Sequence, residues 1–362
     1  MGRRGPNSVI LQFVAFDAYL IQLYHAPMTA SPTISVEPIR LLSRGDVERV
    51  LDLSSCIDAV EVGLRAAAHD RARSAILGLH ARDGGLHGKA AYLEDDAEAW
   101  FVAKLNSNFP QNPSRHGLPT IQGVLALFDG RCGRLVALMD SAAITVLRTA
   151  AATGVAARHF ARPTASSVTI IGCGVQAFTQ VRAAALVRPI RRVVAIDAVP
   201  AAADRLATRV RAELGIDASA RAGTRDAPHE TDIIITCTSS RVPFLGLRDV
   251  RPGTFIAAVG ADNEDKSEIE PELMADSEVV VDSLAQASTI GDLHHAIAAG
   301  ALTVDQVRGE LGTLLSTASP GAYDPRRIVI FDSTGVAVED VAAAVVAFRR
   351  ATEAGLGLQV VL

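Results

Sequence analysis

The sequence predicts an α/β protein: a Rossmann-type, doubly wound parallel sheet domain joined to a second, α+β domain. Three observations carry this. From residue 167 onward, short continuous apolar runs ("SSVTIIG", "RRVVAID", "TDIIITCT", "TFIAAVG", "SEVVVDS") follow one another with helix-like stretches such as "QAFTQVRAAALV" between them. That is the rhythm of strands buried on both faces beneath crossover helices. Between residues 75 and 140 the strand-like segments "AWFVAKLN", "TIQGVLALFD" and "GRLVALMD" are instead separated by Gly, Pro, Asn and Asp turns, as in a mixed or antiparallel sheet. Finally, 362 residues that are 49% hydrophobic exceed one ordinary domain, so two domains are expected.

Taken in order, the first 27 residues contain Arg3 and Arg4 before an apolar run interrupted by Asp17 and Gln22. The run is too short to span a bilayer and "LYHAP" is a poor cleavage site, so residues 1–30 read as a dispensable extension, with Met28 an alternative start. Cap residues Ser43 and Asp46 open two helices across 43–73, broken near Ser54 and Ser55. An Ala-rich helix, "AAITVLRTAAATGVAARHFAR", ends near Pro163, and "RIVIFDS" leads into a last helix, "GVAVEDVAAAVVAFRRATEAG". The net charge of −5 without long runs of one sign argues against nucleic acid or a membrane surface as partner. Cys56, Cys132, Cys173 and Cys237 lack C-x-x-C spacing, which points to a reducing cytoplasm rather than a disulfide framework or zinc site.

In "VTIIGCGVQA", Gly172, Gly174 and Ala177 fall between a buried strand and a helix, and Asp197 ends the next strand twenty residues past Ala177. This is the dinucleotide fingerprint in its required context. Gly172 allows the tight turn, Gly174 lets backbone amides approach a pyrophosphate, and Ala177 permits close helix packing. Asp197 would bind ribose hydroxyls and repel a 2′-phosphate, so the cofactor expected is NAD; its structural alternative is a helix-capping carboxylate. Thr238 and the 259–262 turn lie at the carboxyl ends of later strands, where parallel sheets place ligands.

The segments "KLNSNFPQNPSRHGLPTIQG", "ALMDSAAITVLRTAAATGVAA", "IIGCGVQA", "VGADNEDKSEIEPELM" and "IFDSTGVAVEDV" occur in the order and spacing of the ornithine cyclodeaminase and mu-crystallin family, which the chain resembles from about Leu41 to its C-terminus. The resemblance implies a homodimer with the active site in the cleft between two domains. A Rossmann domain over 146–320 would bind NAD; residues 31–145 together with 321–362 would form a substrate-binding and dimerisation domain. It implies that Arg148 binds substrate carboxylate beside the cofactor and that Lys104 binds substrate. Arg73 would complete the carboxylate site, with Arg71 and Arg82 as alternatives. Thr120, Val175, Gln176, Asp197, Thr238, Lys266 and Ser333 match the family's cofactor contacts, and Asp262 its catalytic acid/base.

Elementary chemistry fits these roles. A bidentate arginine with a second cation suits an α-carboxylate, and a carboxylate at Asp262 can exchange a proton with an amine or water. Each residue also has a plainer reading: structural ion pairs for the arginines, a snorkelling stem for Lys104, an N-cap for Ser333, a pairing with Asp262 or Glu268 for Lys266. His159 suits the terminal carbonyls of its helix. The chain departs from the family at "GLHGKAAYL". If Lys89 and Ala90 occupy the family's M-P positions, His87 stands where cyclodeaminases carry a glutamate for the distal amine. The leading expectation is therefore an NAD-dependent oxidoreductase acting at the α-carbon of a small L-amino acid or its imine. Ornithine or lysine-like cyclodeamination and non-enzymatic ligand binding are the alternatives.

Overall fold

The computed structural model describes residues 37–95, 97–223, 231–317, 321 and 323–362; the extension expected over 1–30 lies outside them. The first sheet is built from β1 (Ile39–Leu42), β2 (Ala72–Ala81), β3 (Gly84–Glu94), β4 (Ala99–Asn108), β5 (Ile121–Asp129) and β6 (Leu135–Asp140). The second contains β7 (Ser167–Ile171), β8 (Arg192–Asp197), β9 (Asp217–Ala222), β10 (Ile233–Thr236), β11 (Phe255–Ala258), β12 (Glu278–Val281), β13 (Gly309–Glu310) and β14 (Val329–Asp332). A last strand, β15 (Leu358–Val360), returns to the first sheet beside β1.

The second sheet is parallel throughout, in the order β13-β12-β14-β11-β10-β7-β8-β9. Alternate residues of its strands enter two apolar clusters, one on each face: Ile170, Ile235 and Phe331 on one side, Ile171, Ile234 and Ile330 on the other. Covering both faces is what makes these strands continuous apolar runs. The winding reverses between β7 and β10, and the crevice beyond their carboxyl ends is where such sheets bind ligands. β14 corrects the expected return at residue 321. Its Ile330 and Phe331 are fully buried between β11 and β12, so the chain stays in the second sheet until Asp332.

The first sheet is mixed, in the order β15-β1-β6-β5-β4-β3-β2. Its helical cover begins with Arg44–Val50, capped by Ser43 with Asp46 completing a reciprocal capping box, and continues with Leu53–Ala67. The break falls at 51–52, earlier than expected, because Asp52 caps the second helix by accepting the Ser55 amide. Helix Ser141–Phe160 starts where Asp140 accepts the Ala143 amide. Its alanines have a packing purpose: a Cβ on Gly154 would stand 2.8 Å from Ile57, so small residues let this helix sit closely against Leu53–Ala67. His159 pairs with Glu61 of that neighbouring helix at 3.1 Å, not with its own terminal carbonyls. The C-terminal helix Ala337–Glu353 packs against Leu53–Ala67, Ser141–Phe160 and the inner face of β3 and β4. No helix among the described residues is long and apolar enough to cross a membrane.

Candidate active site

The nucleotide loop is forced by its glycines. Gly172 has φ +95°, and a Cβ there would lie 2.7 Å from the Cys237 carbonyl oxygen, whereas Gly174 faces open space. Asp197, at the end of β8, accepts the Cys173 amide through Oδ2 and the Val199 amide through Oδ1, each at 2.7 Å. The carboxylate thus holds the loop from beneath while each oxygen keeps a lone pair for further donors. Ala177, fully buried, begins helix Ala177–Val187. Gly172, Gly174, Asp197 and Thr238 line a cavity of about 700 Å³. Burial pushes the Cys173 thiol up to about 12 and the Cys237 thiol well above its ordinary value. Neither is a nucleophile near neutrality.

A second cavity, of about 310 Å³, is lined by His87, Lys89, Lys104, Arg148 and Asp262, and shares Cys237 and Thr238 with the first. Besides Lys266, its cations come from three elements. In the antiparallel register Lys89 of β3 stands opposite Lys104 of β4. Arg148 projects from helix Ser141–Phe160. Two consecutive carboxylates of the C-terminal helix meet them: Asp340 lies 2.7 Å from Lys104 and 3.1 Å from Arg148 Nε, and Glu339 accepts from Arg148 Nη1 at 2.8 Å. Burial, opposed by Asp340, brings Lys104 down to about 8. Burial raises Glu339 to about 7 despite Arg148. Burial acts against Asp340 too, but the Lys104 and Arg148 charges prevail and hold it below the usual carboxylate range. Gly335, at φ +76°, leaves room for the guanidinium, which a side chain there would strike.

Asp262 sits exposed on the rim, its Oδ1 2.6 Å from Lys266 Nζ. The turn that carries it is pinned from inside by Glu268, which accepts the Thr238 amide at 2.6 Å, the Thr236 hydroxyl at 2.7 Å and the Gly260 amide at 2.8 Å. Burial and the neighbouring Asp292 carboxylate raise Glu268 above its ordinary value. Gln176 Oε1 and Ser333 Oγ are buried without a partner among the described residues, and both residues line the second cavity. Such atoms fit a polar ligand, as a dinucleotide would be.

The fold therefore brings Lys104, Arg148, Gln176, Thr238, Asp262, Lys266 and Ser333 around one cleft, with Gly172, Gly174 and Asp197 next to it. Val175 is exposed on the same loop. Thr120 precedes β5 and accepts the Phe109 amide; Asn108 and Ile121, not Thr120, line the cleft. Arg73 is a correction. It pairs across β2 and β3 with Tyr92, whereas Ile76 pairs with Lys89. Three residues along a strand reverse the face, so Arg73 is exposed on the outer side of the sheet, away from Lys104. Of its alternatives, Arg71 precedes β2 and Arg82 sits in the exposed hairpin turn. Sequence reading missed Glu339 and Asp340 as parts of the site; it named Glu268 as an alternative partner of Lys266, and Lys89 as the residue at the family's M-P segment, but not the cleft contacts of either. The consecutive acids in "GVAVEDV", polar at the start of an apolar helix, were the available signal for the first two.

The profile of the Ornithine cyclodeaminase/mu-crystallin family matches residues 39–355. Alanine dehydrogenase of Archaeoglobus fulgidus is 32% identical over 321 residues, 88% of this chain and 97% of that protein. The solved Thermococcus litoralis Delta(1)-pyrroline-2-carboxylate reductase, in complex with NADH and L-proline, is 31% identical. It superposes with a TM-score of 0.84 over 89% of this chain and 100% of that one. The iminosuccinate reductase of Paracoccus denitrificans, in complex with NAD+, is 30% identical with a TM-score of 0.83, over 90% of this chain and 100% of that one.

Proposed function

The chain belongs to the ornithine cyclodeaminase/mu-crystallin family, and from that premise we propose that it is an NAD-dependent oxidoreductase that interconverts a small L-amino acid with its imine or oxo acid. The observation that carries the reading is the junction of the two cavities at Thr238. It gives a nucleotide held by the Gly172–Gly174 loop access to the cation cluster. The relatives named above, an amino-acid dehydrogenase and two imine reductases, support the same chemistry.

When bound, NAD supplies a hydride acceptor or donor at its nicotinamide ring. The protein's residues do the rest. Asp197 offers lone pairs to ribose hydroxyls and repels a 2′-phosphate. Arg148 and Lys104 hold the α-carboxylate and so orient the α-carbon, their own charges balanced by Glu339 and Asp340. Asp262, at the mouth, takes a proton from the substrate ammonium as the α-carbon is oxidised, and serves as the base for water when the imine is hydrolysed. Lys266 holds its carboxylate in place, an exposed pair worth about 0–1 kcal/mol and easily opened.

Cyclodeamination of a diamine has less support, because His87, at the position where the family's cyclodeaminases carry a glutamate for the distal amine, lines the cleft with no negative charge to offer it. The protein acts as a homodimer in this reading, through the apolar outer face of β2–β5. The four cysteines, all free, suit a cytoplasmic setting.

One assay tests the function: purified protein with NAD and a panel of L-amino acids, following NADH absorbance and ammonia together. Net NADH with ammonia is expected. Ammonia without net NADH would instead indicate the cyclodeaminase, and tight NAD binding with neither product a ligand-binding protein. Asp262→Asn should lower kcat by roughly 10²–10⁴-fold with NAD affinity unchanged; full activity in that variant removes Asp262 from the chemistry.

A further inference from the structure

Among the described residues, Lys89 is the one lysine or arginine lining the cleft that has no carboxylate of its own. It stands directly opposite Lys104 in an antiparallel pair, where side chains approach to roughly 4.5–5.5 Å at Cβ and like charges destabilise. Lys104 is compensated by Asp340. Lys89 forms no ion pair among the described residues; its ammonium donates to two carbonyl oxygens, Thr334 at 3.4 Å and Gly335. An ammonium carries three donors, so one remains for the cavity that Lys89 lines.

The charges of the cluster point the same way. Of the three cations Lys89, Lys104 and Arg148, the last two are in contact with the carboxylates Glu339 and Asp340, and Lys89 forms an ion pair with neither. Asp262 and Lys266 cancel each other at the rim. Asp282 attracts Lys89 from behind the 334–335 loop, its oxygens turned to Thr334, Gly335 and Ser283 rather than to the ammonium. A buried ammonium with no carboxylate in contact is costly unless a ligand neutralises it. No arginine of the neighbouring strand shares the site, since Arg73 lies on the other face of β2.

We propose that Lys89 and Lys104 form a paired-ammonium clasp for the substrate's α-carboxylate, Lys89 taking the part that the sequence assigned to Arg73. This rests on the cleft being the amino-acid site. It also makes Lys89 a specificity residue: the ligand must carry a carboxylate at this end, and an uncharged ester or amide in its place binds more weakly.

The test uses the full chain loaded with NADH, and calorimetric binding of glyoxylate, pyruvate and oxaloacetate beside two uncharged analogues, methyl pyruvate and pyruvamide. The wild type should bind at least one of the acids about tenfold or more tighter than the uncharged analogues, as a charge-assisted contact requires. Lys89→Gln keeps a donor for the loop carbonyls and loses the charge; it should lose most of that preference while holding NADH and its melting temperature. Lys89→Arg should keep the preference. A wild type that binds none of the acids, or a Lys89→Gln protein that still prefers acid to amide as strongly, overturns the clasp. Acid binding without any NADH-linked turnover when ammonia is supplied would leave the clasp standing and remove the oxidoreductase reading instead.

Discussion

At the scale of the residue, the carboxylate-binding role proposed for Lys104 ties the cleft to a pH range. It must be an ammonium to meet a carboxylate, and burial brings it down to about 8; burial and the Arg148 charge pull Lys89 downward as well. The sign follows directly: below about pH 8 both charge and affinity are present, and above it the proton leaves and the carboxylate loses a partner. KM for the oxo acid should therefore rise by up to about tenfold per pH unit above pH 8, with kcat less affected. A KM that stays flat from pH 7 to 9.5 would count against Lys104 as a carboxylate ligand. Arg148 was legible because an arginine in "VLRTAA" matches a family motif. Its burial against Glu339 and Asp340, nearly two hundred positions away, was not, since no local pattern carries a contact of that range.

At the scale of the element, the β7 turn and the β2–β3 hairpin contrast. The turn was readable in full: a strand, two spaced glycines, a helix and a distant acid are each local, and the φ of +95° at Gly172 is what only glycine adopts at little cost. Gly172→Ala forces a Cβ to 2.7 Å from the Cys237 carbonyl oxygen, so it should cost about 1–3 kcal/mol of stability and weaken NAD binding measured by fluorescence titration. A variant with wild-type melting temperature and NAD affinity would show the turn to be more tolerant than its geometry implies. The hairpin was not readable as such. "ARSAILGLHARDGGLHGKAAYLE" mixes Gly, Ala and charge without clean alternation, because one face lines the cleft and the other is an apolar surface. Its register, and hence the faces of Arg73 and Lys89, is decided by pairing with β4. Asp52 marks a smaller miss: the cap, not the serines, sets the helix break.

At the scale of the whole molecule, the outer face of the first sheet exposes Leu77 (52%), Leu79 (56%), Leu105 (44%), Phe101 and Val124, residues that share one side of β2–β5 by register. A continuous apolar face of this kind marks a protein–protein interface, and stable dimers bury roughly 1,200–2,000 Å². Leu105→Glu would place an unpaired carboxylate in the proposed dimer interface; light scattering is expected to show a dimer for the wild type and a monomer for the variant. An unchanged dimer would move the interface elsewhere.

By itself the sequence determined the parallel sheet, the nucleotide turn, the acid Asp197 and the family to which the chain belongs, because apolar periodicity, glycine spacing and motif order are properties of neighbouring residues. The tertiary structure alone decided that β14 completes the second sheet and that Glu339, Asp340 and Glu268 organise the cleft. It also decided that Lys89 faces inward while Arg73 faces out. Strand register and ion pairing between distant segments depend on which surfaces become buried together, and a one-residue shift in register would have exchanged those two cations.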